Sequence, residues 1–370
     1  MLIAQEKFIG LDEGVHLCTG GESPMLKSHQ DVIARFFADK VYGEEARARL
    51  EATHLRCKEK AAQLWGVSAD EITFLPSTSA AINMLANAFT WEAGDNVVVA
   101  DVEFPSDVLP WARLRERGVE VRLVRHQNWA ISLEDIAAQI DARTRVVNVS
   151  QVSYFTGQRL DIGKLSQMVR TSNALLVVDA THAAGSVAVE AQYADIVISS
   201  CYKWLLGVHG TAVFYWNRQR LPDLQPPFVG WNTGVTHATW EDPMAYTPRP
   251  NADRFEPGNP SFISIYILEN ALDHILDVGI EAIEAHNLHL SGLVWDGVAG
   301  RNGFEMMTPA EAENRAGNVC FLVEDIVGLV RRLEEKNVLI WGGYGGIGRV
   351  RVSTHLYNSE EDVAQLLAAL

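Results

Sequence analysis

Between residues 70 and 216 the chain alternates short apolar runs with longer segments in which apolar residues recur at helical spacing. The short runs are rich in β-branched residues, and most are apolar on both faces. Such runs are typical of strands in a largely parallel sheet, because helices cover both faces of that sheet. We predict seven strands, at 71–75, 96–101, 119–124, 145–150, 175–179, 195–199 and 211–216.

The segments between these strands have the periodicity of helices. Those within the block lie at 80–89, 106–117, 133–141 and 162–172, and two more precede it at 30–40 and 45–65. This alternation predicts a doubly wound α/β unit with right-handed crossovers. An irregular stretch at 221–260 is rich in Pro, Gly, Trp and Asn, and connections of this length tend to be functional.

The last third of the chain predicts a smaller α+β unit. Its helices are predicted at 262–278, 280–298, 325–336 and from 359, and its strands at 318–323, 338–341 and 348–353. The length suits one large and one small domain. We expect residues 30–260 to form the large domain, and residues 1–29 with 261–370 to form the small one.

Composition narrows the class of protein. Hydrophobic residues make up 48% of the 370 residues, enough for a sizeable core. The chain has neither a membrane-length apolar run nor a secretory leader, so we expect a cytoplasmic protein without a membrane partner. Cys18, Cys57, Cys201 and Cys320 lie far apart and predict reduced thiols, with no disulfide framework and no metal site. A net charge of −16 makes nucleic acid an unfavourable partner.

Two strand ends carry polar side chains suited to a phosphorylated ligand. Ser77, Thr78 and Ser79 join a strand to a helix, where N–H groups and hydroxyls converge on one point. The alternative is an ordinary N-cap. Asp179 ends an apolar strand and would pair with a protonated ring nitrogen, or else cap the next helix. His182, taken alone, is more typical of a protein core than of a ligand site.

Two sets of basic side chains suggest ligands that carry a carbonyl group and a carboxylate group. Lys203 stands between Tyr202 and Trp204, and an apolar setting lowers the pKa of an amine and makes it nucleophilic toward carbonyls. A lysine snorkelling from a loop is the alternative. Arg349 and Arg351 lie on the same face of a predicted strand and could bind a carboxylate, or form a surface ion pair.

In combination, these features resemble the class V aminotransferase family. This group of fold type I pyridoxal 5′-phosphate (PLP) enzymes includes cysteine desulfurases, kynureninase and isopenicillin N epimerase. The resemblance runs from about residue 15 to the end of the chain. It implies a fold type I PLP-transferase fold, PLP as the cofactor and a small amino acid as the substrate. By analogy, it also implies a homodimer with active sites at the subunit interface.

The resemblance assigns the cofactor's phosphate and ring to particular residues. Thr78 and Ser79 match the phosphate-binding turn, and Ser200 and Tyr202 match further phosphate ligands. Phe104 matches the residue that stacks on the pyridine ring, where cysteine desulfurases typically present His and kynureninase-like members Phe.

The same resemblance assigns the catalytic groups. Asp179 matches the partner of the pyridine nitrogen, and His182 matches the residue near the ring hydroxyl. Lys203 matches the Schiff-base lysine, which then serves as general base. Arg351 matches the arginine that binds the substrate's α-carboxylate.

Four further residues complete the expected site. Trp231 and Thr233 lie in a segment that resembles the loop reaching the neighbouring subunit's cofactor. Tyr154 and Asn259 lie in segments that resemble kynureninase, and we expect them to bind the substrate.

The reaction type stays open, because this fold supports several chemistries. Desulfuration needs a nucleophilic thiol on a loop shortly before the carboxylate-binding arginine, and segment 341–348 has no cysteine. We therefore predict a class V aminotransferase first. The alternatives are a C–S lyase that uses no protein thiol and a kynureninase-like C–C hydrolase. A non-catalytic PLP-fold binding protein is the alternative of another class, disfavoured by the presence of Lys203 and Arg351.

Overall fold

The computed structural model describes residues 1–236 and 241–370, so part of the irregular stretch 221–260 lies outside the described residues. The strands are β1 (Val15–His16), β2 (Ile72–Leu75), β3 (Asn96–Ala100), β4 (Glu120–Val124), β5 (Thr144–Ser150), β6 (Leu175–Asp179), β7 (Ile196–Ser200), β8 (Ala212–Trp216), β9 (Gly234–Thr236), β10 (Thr247–Pro248), β11 (Phe304–Met306), β12 (Asn318–Val323), β13 (Val338–Leu339), β14 (Trp341–Gly342) and β15 (Arg349–Ser353). The α-helices are α1 (Ser28–Asp39), α2 (Glu44–Trp65), α3 (Thr78–Ala88), α4 (Pro105–Arg113), α5 (Leu133–Ala137), α6 (Ile162–Val169), α7 (Phe262–Val278), α8 (Ile280–Val298), α9 (Ile326–Glu334) and α10 (Glu360–Ala369). Short 3₁₀ helices lie at Gln5–Lys7, Lys40–Tyr42, Ala69–Glu71, Leu114–Arg117, Ala191–Tyr193, Ala252–Phe255 and Ala312–Asn314.

A seven-stranded sheet in the order β2-β8-β7-β6-β5-β3-β4 forms the centre of the large unit. All seven predicted strands are present in it. β8 runs antiparallel to both of its neighbours, and the other adjacent strands pair in parallel. The predicted α/β fold with a mostly parallel sheet is confirmed.

Alternate residues of the central strands pack on opposite faces of this sheet. Val97 and Val177 belong to the apolar cluster on one face, and Val98 and Val178 to the cluster on the other. All four are essentially inaccessible to water. Because side chains alternate along a strand, each strand needs apolar residues at successive positions, which is the pattern seen in the sequence. Each such valine stabilises the fold by about 1.5–3 kcal/mol.

The C-terminal part contains a four-stranded antiparallel sheet in the order β11-β12-β15-β14. The N-terminal segment joins this region. Strand β1 pairs in parallel with β13, and Cys18 forms an isolated parallel β-bridge with Ser353 through the backbone. Helix α7, in contrast, packs against α1 and α2. The division into residues 30–260 and residues 1–29 with 261–370 stays our proposal. None of the described helices has the length and apolar character needed to cross a membrane.

The carboxyl ends of β5, β6 and β7 lie side by side at one edge of the large sheet. Ser150 is in register with Asp179, and β7 ends beside them at Ser200. The turn after β6 contains Gly185, whose backbone lies close to the carbonyl group of Trp204, the residue that follows Lys203. The polar residues predicted at separate strand ends are therefore neighbours in space.

We expect Gly185→Ala to destabilise the protein more than Gly10→Ala. Both glycines have positive φ, +87° and +78°, so alanine costs about 1–2 kcal/mol at either position. A Cβ at Gly185 would also lie 2.2 Å from the carbonyl oxygen of Trp204, whereas nothing lies within 4 Å at Gly10. The overlap adds about 1–3 kcal/mol. Urea unfolding of the two variants measures the difference, and equal losses would contradict it.

Candidate active site

A cavity of 220 Å³ opens at the carboxyl edge of the large sheet. The predicted site residues that line it are Thr78, Ser79, Phe104, Tyr154, Asp179, His182, Ser200, Tyr202 and Lys203. The other lining residues are Ser77, Ser106, Ser150, Val152, Thr181 and His209. Segments far apart in the chain therefore converge on one cavity.

Four predicted residues lie outside the cavity lining. Arg351 is buried in β15, behind Tyr154. Trp231 is half-exposed, and the Arg47 guanidinium lies 5.1 Å from the centre of its ring. Thr233 is buried and its hydroxyl accepts the N–H of Gly230. Asn259 accepts a hydrogen bond from Arg47 at 2.6 Å. The single chain does not bring Trp231, Thr233 and Asn259 to the cavity, and their roles stay predictions.

Lys203 is buried at the base of the cavity, so it is not a snorkelling surface lysine. Its Nζ lies 3.2 Å from His182 Nε2 and 5.7 Å from the centre of the Phe104 ring. Burial, and then the positive charge of Arg351, lower the pKa of the Lys203 amine to about 8. A substantial fraction of the amine is therefore neutral and nucleophilic near neutral pH.

His182 is held as a neutral imidazole whose Nε2–H faces Lys203 and donates to that amine when the amine is neutral. Its Nδ1 accepts hydrogen bonds from Asn318 Nδ2 at 2.9 Å and Trp204 Nε1 at 3.3 Å, so the ring proton is on Nε2. Burial, and then the charge of Lys203, hold the pKa of His182 well below its ordinary value. The Asn318 amide is oriented in turn, because its oxygen accepts from the Ser353 hydroxyl at 2.8 Å.

Asn318 has no counterpart among the residues predicted from the sequence. The one signal in the chain is a polar residue at the start of the otherwise apolar strand β12. That position is fully buried. A buried amide requires a partner, but only the fold shows that the partner is His182.

Asp179 presents a buried carboxylate to the cavity. Its Oδ1 accepts the Thr181 N–H at 2.7 Å, a tight turn rather than a helix cap. The Thr181 hydroxyl accepts the Ser200 N–H at 3.1 Å and lies 3.3 Å from the Thr78 hydroxyl. Thr78 and Ser200 are joined hydroxyl to hydroxyl at 2.8 Å. The turns after β2, β6 and β7 are thus linked by one network of small donors.

The hydroxyls of this network surround the first turn of α3, an eleven-residue helix. The expected N-cap is present, since the Ser77 hydroxyl accepts the Ala80 N–H at 3.1 Å. Thr78 remains turned toward the cavity as a donor. Helix N–H groups with hydroxyls around them suit an anion, so this turn can cap the helix and still offer donors to a phosphate.

Aromatic rings form one wall of the cavity. Phe104 meets Tyr154 edge-on at 5.0 Å between ring centres. Tyr202 stacks on His209 at 4.0 Å. Phe104 and Asp179 both line the cavity, so a flat ring ligand there would have an aromatic side chain and a carboxylate within the same lining.

Arg349 and Arg351 are buried and form no ion pair within the described ranges 1–236 and 241–370, so they are not a surface pair. Each donates from Nη1 to the Tyr154 carbonyl, at 2.8 and 3.1 Å, and each has an Nε without a partner. Burial, and then Arg349, lower the pKa of Arg351 to about 10. Two buried cations without a counter-charge suit an anionic ligand, which a substrate carboxylate provides.

A second polar cluster contains side chains of the kinds that bind metal ions. His54, Asp253 and Glu256 bring possible ligand atoms within 4.8 Å of one another. However, Lys58 pairs with Asp253, and His54 bonds Glu256 at 2.9 Å. This cluster already contains the cation that balances its acids, and we assign it to the packing of α2.

The groups that line this cavity fit PLP. They are a nucleophilic amine, a carboxylate for a ring nitrogen, a helix start rich in hydroxyl groups and an aromatic wall. The aminotransferase class-V family model matches residues 37–366, nearly the whole chain. The chain belongs to the class V aminotransferase family. It is therefore a PLP-dependent enzyme, and the predicted cofactor and family are confirmed.

Curated relatives of this class V enzyme include cysteine desulfurases. A probable cysteine desulfurase of Methanothermobacter thermautotrophicus is 29% identical over 329 residues, which cover 84% of this chain and 80% of that protein. A cysteine desulfurase of Salmonella typhimurium is 27% identical over 319 residues, covering 82% and 78%.

Solved structures share the fold. The apo cysteine desulfurase from Thermococcus onnurineus NA1 superposes with a TM-score of 0.88 at 22% identity, covering 99% of this chain and 96% of that one. The cystine C–S lyase C-DES, in complex with its product cysteine persulfide, gives a TM-score of 0.88 at 20% identity, with 98% coverage of both chains. These matches confirm the fold type I architecture.

We expect PLP to bind covalently to Lys203 at a rate that rises with pH through about 8. Only the neutral amine attacks the aldehyde of PLP, and the pKa of Lys203 is lowered to about 8. The growth of the visible absorption band after mixing measures this rate. In Arg351→Gln the midpoint should move upward, since the charge of Arg351 contributes to the lowered pKa.

Two variants serve as controls. Lys203→Ala should give no covalent band, whereas Lys164→Ala, which removes an exposed lysine on α6, should bind PLP like the unsubstituted protein. A protein that remains colourless with excess PLP would contradict the assignment of Lys203. A midpoint near the ordinary lysine pKa of about 10.4 would contradict the buried environment.

Proposed function

We propose that this enzyme is a PLP-dependent C–S lyase, which breaks the Cβ–S bond of a cysteine-type amino acid without using a protein thiol. The observation that carries the proposal is that segment 341–348, shortly before Arg351, contains no cysteine. The curated relatives named cysteine desulfurase and the cystine C–S lyase among the structural neighbours support sulfur chemistry. They favour this alternative over the aminotransferase that we predicted first.

The four cysteines of the chain are poor nucleophiles. Cys57, Cys201 and Cys320 are fully buried, and burial raises the pKa of each thiol. Cys18 lies near Arg351, yet burial raises its pKa to about 12. Because the thiolate is the reactive form, none of these residues is suited to accept sulfur from a substrate. The sulfur therefore leaves with a small-molecule product.

Tyr344 stands in the loop where desulfuration would need a thiol. Its ring meets Tyr154 edge-on at 5.8 Å between ring centres, next to the buried Arg349. The loop thus places a phenol over the aromatic wall of the cavity. A phenol has no sulfur-accepting chemistry, which supports elimination rather than transfer of sulfur to the enzyme.

The residues of the site can be given roles in this reaction. When bound, PLP withdraws electrons from the substrate's Cα. Asp179 holds a proton on the ring nitrogen, and Arg351 binds the α-carboxylate and so orients the bonds at Cα. Lys203 removes the Cα proton, and the sulfur departs with the electron pair of the Cβ–S bond. The aminoacrylate that remains after elimination is hydrolysed by water to pyruvate and ammonia.

We expect the PLP-loaded enzyme to release pyruvate and ammonia from cystine or cysteine, without a keto acid and without an added thiol. Cys18→Ser should retain the rate within about twofold, because the thiol nearest Arg351 has no part in the reaction. Pyruvate is measured by reduction with lactate dehydrogenase, and the sulfur product by its absorbance or as sulfide.

Other products would identify the other reactions. Alanine formation that is lost in Cys18→Ser would point to desulfuration through a protein thiol. Amino transfer that requires a keto acid would support the aminotransferase predicted from the sequence. Release of anthranilate from kynurenine would support the C–C hydrolase. Any of these in place of pyruvate would overturn the lyase proposal, as would a PLP-loaded protein that converts none of these amino acids.

We also propose that the enzyme works as a homodimer. Large apolar side chains of the segment around Trp231 are exposed, namely Phe228, Val229, Trp231, Val235, Met244 and Tyr246. Exposed apolar groups concentrated in one segment are typical of an interface. A neighbouring copy would cover them, and Trp231 or Thr233 would then approach its cofactor.

The dimer can be tested with charged substitutions. Met244 is 88% exposed, and Met244→Glu should shift the sedimentation of the protein toward the monomer because a charge would be buried at the interface. Val327 on α9 is 78% exposed, and Val327→Glu should leave the dimer intact. A monomeric species with full activity would contradict the proposal.

A further inference from the structure

Three buried carboxyl groups lie together beneath the cavity. Glu103 and Asp107 flank the start of α4, and Asp179 ends β6. All three are less than a tenth exposed. Their hydrogen-bond donors are neutral groups, and the charges of Asp179 and Asp107 act on the Lys203 amine. Three negative charges in so small a buried volume would repel one another strongly.

Each of the outer two groups has its own set of donors. Glu103 accepts the N–H of Ser150 at 2.8 Å and also the Ser150 hydroxyl. Asp179 accepts the Thr181 N–H and faces the cavity. Donors of this kind favour a carboxylate that remains an acceptor. Asp179 therefore has what it needs as an acceptor, whereas burial raises the pKa of Glu103 to about 7 in spite of its two bonds from Ser150.

Asp107 differs from both. It is fully buried, and its Oδ1 accepts one hydrogen bond, from Asn148 Nδ2 at 3.2 Å. Its Oδ2 has no donor among the described residues. The Asp179 carboxyl group lies within hydrogen-bonding reach of the Asp107 side chain. Two ionised carboxylates are both acceptors and cannot bond, so this contact is favourable only when one of them carries a proton.

We propose that Asp107 is a neutral carboxylic acid whose Oδ2–H donates to Asp179, so that Asp107 positions the carboxylate meant for the cofactor's ring nitrogen. The pair then bears one negative charge. Burial, and then the charges of Asp179 and Glu103, raise the pKa of Asp107 well above its ordinary value, in agreement with this protonation. Asp107 is a positioning residue, since it acts through Asp179.

The consequence is a carboxylate that is oriented before the cofactor arrives. Thr181 N–H holds one side of the Asp179 carboxylate, and the Asp107 proton holds another. An oriented, water-excluded acceptor binds a charged donor more strongly than one that must reorganise. This inference rests on PLP binding and is independent of whether the enzyme eliminates sulfur.

Two substitutions separate a hydrogen-bond donor from a charge. Asp107→Asn keeps the arrangement, because its oxygen can accept from Asn148 and its Nδ2–H can donate to Asp179. Asp107→Leu has a similarly branched side chain, although a larger one, and no donor. We expect Asp107→Asn to bind PLP within about threefold of the unsubstituted protein, and Asp107→Leu to bind about 10- to 100-fold more weakly, as for loss of a hydrogen bond to a charged group.

The decisive measurement is infrared difference spectroscopy of the protein before PLP loading. The measurement is made in a Glu103→Gln background, because burial raises the pKa of Glu103 to about 7 and that group could give a band of its own. The Glu103→Gln protein should show the carbonyl stretch of a protonated, buried carboxyl group, and adding Asp107→Asn should remove it. Asp101→Asn is the matched control, because Asp101 is paired with His126 and its replacement should leave that band in place. Dialysis equilibrium gives the PLP dissociation constant of each variant, and urea unfolding confirms that each is folded.

Three results would overturn the proposal: no protonated carbonyl band in Glu103→Gln, a band that persists when Asp107→Asn is added to Glu103→Gln, or an Asp107→Asn variant that binds PLP as weakly as Asp107→Leu. The last result would mean that Asp107 acts as a charge. If Asp107→Leu does not fold, the infrared comparison of Glu103→Gln with and without Asp107→Asn decides alone. Loss of pyruvate release has no bearing on these readouts, so failure of the lyase proposal would be seen separately.

Discussion

The hydrogen bond between the Lys203 amine and His182 depends on elements from every part of the chain. His182 follows β6 of the large sheet, while the Asn318 amide that fixes its tautomer comes from β12 of the C-terminal sheet. Asn318 is oriented by Ser353, to which the N-terminal segment is joined through Cys18. A shift of the C-terminal sheet against the large sheet would therefore release the ring that faces the reactive amine. Packing between the two sheets is in this sense part of the chemistry.

Opposed charges around that amine set its reactivity. Burial lowers the pKa of Lys203 the most, the charge of Arg351 lowers it further, and the charge of Asp179 raises it in part. Asp179 lines the cavity, whereas Arg351 lies behind Tyr154, which also lines it. A cofactor ring with a positive nitrogen suits the carboxylate side, and a substrate carboxylate suits the side of Arg351. The same arrangement that binds the ligands also keeps Lys203 near the pKa that a general base requires.

Much of the fold follows from the sequence because successive apolar residues in short runs have few structural solutions other than a covered parallel sheet. The direction of β8 could not be predicted, since an apolar run has the same pattern in either direction. The short strands β1 and β11 contain too few residues for a period to appear. In the site, residues at strand ends were predicted because topology alone brings them together. Asn318 and Asp107 were not, because their roles depend on single contacts between segments distant in sequence.

The family assignment does not choose the reaction, because PLP supplies the same electron withdrawal to every member. The choice lies in the groups that the chain places around Cα and the leaving atom. Here the neutral amine of Lys203 can take a proton, the arginine pair can hold a carboxylate, and the loop before Arg351 offers the Tyr344 phenol instead of a thiol. A thiol would retain the sulfur on the protein, whereas a phenol cannot form a bond to it. Among related reactions at a cysteine-type substrate, the proposed one lets sulfur depart freely, and the feature on which that proposal depends is a glycine-rich loop with the Tyr344 phenol and no cysteine.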